Sequence, residues 1–148
     1  MLTRELPDGT ALRTGFAKWS RPLWMRLGAL GAVCAALILL SAPVGAAQLR
    51  QAAQIQFMHA MSTFVCATFM NVGGGSAKHA PACFVAGSLL YSLPIYVAYA
   101  GGPAPSSICT LAGEVLLIGG WVVLIWSASS IDRISAQKLP APPRTPRA

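Results

Sequence analysis

The sequence predicts an all-α, integral membrane four-helix bundle, and three observations carry that reading. Hydrophobic residues make up 55% of the 148-residue chain and charged residues only 10%, with a mean hydropathy of +0.58. A soluble domain of this size carries about 25% charged residues, so much of this surface faces something other than water. The charges are also clustered: no Asp, Glu, Lys or Arg lies between Arg26 and Arg50, between Arg50 and Lys78, or between Lys78 and Glu114. Each interval exceeds the about 20 apolar residues that cross a hydrocarbon core about 30 Å thick at 1.5 Å per residue. Finally, polar or Gly- and Pro-rich breaks fall between the apolar runs. Soluble enzymes, disordered regulators and nucleic-acid readers are disfavoured, and the length allows one domain.

Helix 1 is expected over residues 23–47 and helix 2 over residues 52–72. The short polar break between them, from Gln48 through Arg50 to Gln51, turns the chain into an antiparallel hairpin. Helix 2 is expected to stop at Gly73, Gly74 and Gly75, poor helix formers, with Lys78, His79 and Pro81 completing the turn. Helix 3 is expected over residues 82–100, with a kink at Pro94, and stops at the run from Gly101 to Ser106. Helix 4 is expected over residues 107–131, interrupted only by Glu114. Residues 1–22 read as a basic cytoplasmic tail, residues 23–131 as the transmembrane domain, and residues 132–148 as a disordered, Pro-rich basic tail with weak attraction to anionic headgroups.

Lys and Arg near span ends are retained on the cytoplasmic side. With the amino terminus inside, Arg4, Arg13, Lys18, Arg21, Arg26, Lys78, Arg133, Lys138, Arg144 and Arg147 are cytoplasmic and Arg50 alone is outside. Both termini are therefore expected in the cytoplasm. Trp19, Trp24 and Trp126 fall near the inner interface and Tyr96 and Tyr99 near the outer one, whereas Trp121 lies deeper and fits neither belt. A secretory signal ending at Val44 to Ala47 is the competing reading of helix 1. Its apolar stretch is longer than the about 7 to 15 residues of a signal core, which disfavours cleavage.

Gln56, His59, Thr63, Cys66 and Met70 share a stripe on helix 2, and Ser107, Thr110, Glu114, Leu117 and Trp121 repeat its spacing on helix 4. Ionisable groups within spans are expensive and often functional. Counted from the outer ends of their helices, His59 and Glu114 lie at similar depth, so a contact is expected, with Gln56 adding a hydrogen bond. The structural reading, a clasp that fixes helix register, is favoured over a proton relay, because one His and one acid make no continuous path. Small residues let helices approach closely: Gly28, Gly31, Ala32, Ala35 and Ala36 on helix 1, and Gly87, Ser88 and Ser92 on helix 3.

The four cysteines, Cys34, Cys66, Cys83 and Cys109, fall one to a helix and show no CxxC pattern, so neither a disulfide framework nor haem attachment is indicated. Met58, His59, Met61, Cys66 and Met70 offer soft metal ligands, but Met commonly fills apolar gaps. No metal and no cofactor are expected. Gly73 to Gly75 lack the Lys and Ser/Thr of a phosphate loop, and no nucleophile motif is present.

The segments from Leu27 to Ala32, from Gln54 to Ala60 and from Gly87 to Ser92, with Tyr96, Thr110 to Gly113, and Gly119, Gly120, Trp121, resemble the small four-span membrane proteins grouped as domain of unknown function 423. That family is similar to eukaryotic transmembrane protein 256. The resemblance covers roughly residues 27–126 and implies four helices in the bacterial cytoplasmic membrane, with no reaction attached. Two departures stand out. Where the family usually has a His in helix 1, this chain has Val33 and Cys34, and its usual Thr-Pro-Ile-Gly-Gly segment reads Thr110, Leu111, Ala112, Gly113, Glu114. Gln56 and His59 carry over better than Glu114.

The expected function is that of a non-enzymatic membrane protein that packs with itself or with another membrane protein through the small-residue faces of helices 1 and 3. The alternative is a proton or small-solute transporter or channel subunit using Gln56, His59, Thr63 and Glu114. The lipid bilayer is the expected surrounding, and nucleic acid is not an expected partner.

Overall fold

Proline and glycine, rather than polarity, decide where the first helix stops. In the computed structural model, which describes residues 9–72 and 75–137, α1 spans Gly9–Ser41 and α2 spans Ala47–Val72. The turn between them holds Pro43 and Gly45, with Ala46 N–H donating to Pro43 O at 3.0 Å and Arg50 N–H donating to Ala46 O at 3.0 Å. A residue before proline is pushed out of the helical region, so α1 cannot pass Ala42. The expected break at Gln48 to Gln51 is thereby corrected: those residues form the first turns of α2. Arg50 also has a structural task, since its guanidinium donates to Ala42 O at 3.1 Å and satisfies a carbonyl left open at the end of α1.

A 3₁₀ segment, Gly75–His79, leads into α3, Ala80–Tyr99, which begins two residues earlier than expected. Pro81 lies in the first turn, where a missing N–H removes no helical bond. The end of α3 is a Schellman motif: Gly102 N–H donates to Val97 O at 2.9 Å and Gly101 N–H to Ala98 O at 3.1 Å. Gly101 supplies the left-handed backbone, φ 91°, that this motif requires.

The outer helices outrun their apolar segments. α4 spans Ser107–Gln137, and α1 begins at Gly9, so residues 9–22 and 132–137, expected as tails, are helical. Charge ends an apolar run without ending a helix: Ala, Leu, Arg and Lys in the first segment are good helix formers, and the second lacks Gly and Pro. The remaining parts of both expected tails lie outside the described residues.

Three segments are long and apolar enough to cross a membrane: Arg21–Ser41, Ala77–Tyr99 and Ser107–Ala128. α2 has the length, at 26 residues, but Gln48, Arg50, Gln51, Gln54, Gln56 and His59 lower its apolar content.

The helices pack in chain order, α1 on α2, α2 on α3 and α3 on α4, and among the described residues α1 and α4 form no packed interface. Neighbours are antiparallel, as shown by Gln56 against Gly31, Ser92 against Ala52, and Gly87 against Gly113 and Leu117. Close approach explains the small residues. A Cβ on Gly28 would lie 2.8 Å from Ala60 O, and one on Gly113 would lie 2.7 Å from Tyr91 N. Ala35, Ala52, Ala53, Ala67 and Ala80 are fully buried, while Leu40, Ile108, Ile125 and Trp126 are exposed. Large apolar side chains outside and small ones inside are the arrangement expected where lipid, not water, is the solvent.

Candidate functional site

His59 is the centre of the polar cluster expected on α2, and its partner on α4 is Trp121. His59 Nδ1 lies 2.7 Å from Ile55 O. A carbonyl only accepts, so Nδ1 carries the proton. Trp121 Nε1–H donates to His59 Nε2 at 3.2 Å, which requires a lone pair there. The two bonds together select the neutral tautomer protonated on Nδ1.

Phe84 of α3 completes the cluster. Its ring centroid lies 5.5 Å from that of His59 and 5.2 Å from that of Trp121, both tilted, and His59 and Trp121 meet edge to face at 6.2 Å. Such geometries are the favoured ones for aromatic pairs. Phe84 is fully buried and needs Gly120 opposite, where a Cβ would lie 2.5 Å from the ring.

The expected contact between His59 and Glu114 does not form. Glu114 is exposed on α4 and makes no hydrogen bond or ion pair among the described residues. The reason is the true start of α2. Beginning at Ala47, α2 places His59 twelve residues deep, whereas Glu114 is seven residues into α4. That offset is about 7 Å at 1.5 Å per residue. Trp121, further along α4, matches the depth of His59. Its failure to fit either aromatic belt is the signal in the sequence that its ring nitrogen bonds within the bundle.

The remaining members of the stripe divide. Gln56 Nε2 donates to Gly31 O on α1 at 3.0 Å, and the fully buried Thr63 donates through Oγ1 to His59 O at 2.8 Å. Gln56 and Thr63 line a second feature, a half-open groove of about 320 Å³ between α1 and α3, floored by α2. Its walls are apolar, with Leu30 and Ile38 on one side and Leu93 on the other. Ser88 and Tyr96 of α3 also line it; the buried hydroxyl of Ser88 has no hydrogen-bond partner among the described residues, and that of Tyr96 lies beside Ser92. Sequence reasoning placed Ser88 only as a small packing residue and Tyr96 only in an interfacial belt.

Gly28, Gly31, Ala32 and Gly87 lie at interfaces within the chain: the first two against α2, Gly87 against α4, and Ala32 buried on α1. Their small faces are thus occupied by the chain's own helices. The described residues contain no group of three or more His, Cys, Asp or Glu able to hold a metal. Comparison with protein-family models, curated proteins and solved structures found no match to this chain.

Proposed function

We propose that the chain is a small, non-enzymatic protein of the bacterial cytoplasmic membrane, spanning four times with both termini cytoplasmic, that acts by associating with itself or another membrane protein. The single observation that carries this reading is Glu114, exposed on α4 among the exposed apolar residues Leu111, Val115 and Ile118. An ionisable side chain inside a span is costly against lipid and favourable against a polar group on a neighbouring helix. The association surface is therefore the outer face of α4, in place of the small-residue faces of α1 and α3. The basic residues support the orientation, and the resemblance to the four-span family supports the choice of membrane.

The transporter reading is weaker, because Gln56 Nε2, both ring nitrogens of His59 and Thr63 Oγ1 are engaged with protein groups and Glu114 stands apart from them. Affinity purification from native membranes tests the proposal. A second tagged copy or a defined membrane protein is expected to co-purify, and Glu114→Leu is expected to reduce recovery several-fold, in line with about 0.6–2 kcal/mol for an intramembrane hydrogen bond. Proton or solute flux in liposomes that is lost in His59→Ala, with nothing co-purifying, would instead establish transport.

A further inference from the structure

The outer side of α4 carries two residues that contact with lipid does not explain. The inner side packs on α3 through Gly113, Leu117 and Gly120. On the opposite side the exposed aliphatic residues, Ile108, Leu111, Val115, Ile118, Val122 and Ile125, follow steps of 3, 4, 3, 4 and 3 along the chain, the spacing of a coiled-coil seam. Lipid asks only that such a face be apolar. Glu114, exposed, lies along one edge of the seam, and Gly119 lies along the other. An added Cβ on Gly28, Gly31, Gly87, Gly113 or Gly120 would meet a neighbouring helix at 3.2 Å or less, whereas one on Gly119 would meet nothing within 4 Å. Glycine is a poor helix former, and no contact within the chain accounts for its use at this position.

Orientation turns these two residues into a matched pair. Copies of one chain enter a membrane the same way up, because the same basic residues set the topology of each. Two α4 helices that meet there run parallel, related by a two-fold axis along the membrane normal. In parallel helices joined along such a seam, the flanking positions pair across the interface. Glu114, just before Val115, then faces Gly119, just after Ile118, on the other helix. The two-fold axis makes this match occur twice. Because Gly119 has no side chain, the carboxyl group approaches backbone polar groups there and is shielded from lipid. We propose that the partner of α4 is a second copy of this chain, held in a parallel dimer by the aliphatic seam, with each Glu114 seated against Gly119 of the other copy. The proposal rests on the association reading and names its partner.

Photo-crosslinking of the full chain in native membranes tests the dimer. A photoreactive phenylalanine analogue in place of Ile118 is expected to give a product of twice the chain's mass, and the same analogue in place of Val33, exposed on α1, is expected to give none. Recovery of one tagged copy on another supplies the second readout. Glu114→Leu should lower it roughly 3- to 30-fold, while Glu114→Gln, which keeps hydrogen-bonding groups, should retain it. Gly119→Leu fills the notch and should abolish recovery without lowering the melting temperature of the detergent-solubilised monomer, since nothing in the chain lies within 4 Å of its Cβ. Equal cross-linking from Val33, or undiminished recovery in folded Gly119→Leu, would overturn the proposal. Cross-linking from Ile118 to a different membrane protein would also overturn it and leave the association reading standing, whereas no cross-linked partner of any kind would remove both.

Discussion

At the scale of single residues, His59 shows how two neighbours settle a proton's position. Ile55 O takes the hydrogen on Nδ1 and Trp121 supplies one to Nε2, so an imidazolium would set two N–H groups against each other. Trp121→Phe removes the donor and keeps an aromatic ring. It is expected to lower stability by about 0.5–1.5 kcal/mol, measured by denaturation in detergent, and histidine NMR of the parent chain should show the Nδ1-protonated tautomer. An unchanged midpoint with the other tautomer would remove this bond from the account. His59 was legible in the sequence as an ionisable residue in an apolar run. Its partner was not, because depth counted from the wrong helix start favoured Glu114 over Trp121.

At the scale of elements, two adjacent glycines on α4 have opposite surroundings. A Cβ on Gly120 would strike the Phe84 ring at 2.5 Å, whereas one on Gly119 would meet nothing within 4 Å. Gly120→Ala should therefore destabilise the fold by about 1–3 kcal/mol, and Gly119→Ala should leave stability unchanged or raised, since Ala is the better helix former. Thermal melts of the two variants make the comparison, and equal effects would contradict the packing of Phe84. Four helices and their small-residue faces were legible from spacing. The ends of α1 and α4 were not, because hydropathy marks where lipid stops and backbone chemistry marks where a helix stops.

At the scale of the whole molecule, α2 is the element that decides topology. It is less apolar than its neighbours, yet it packs antiparallel between α1 and α3, and Gln56, His59 and Thr63 find protein partners there. Polar groups satisfied inside a bundle can cross a bilayer that they could not cross alone. Reporter fusions at the two termini are accordingly expected to give the same cytoplasmic signal. Ends on opposite sides would mean that α2 does not span. The groove was illegible in advance: it is lined jointly by α1, α2 and α3, a property of three helices that no periodicity within one reveals.

The unequal lengths of the helices have a consequence for access. At one end α1 and α4 continue past their apolar segments as stalks, while at the other the chain reverses through a short corner at 42–46 and the exposed segment 100–106. A protease added to sealed vesicles would find far more substrate on the stalked side than on the other, so the size of the digestion products would reveal which way up the molecule sits.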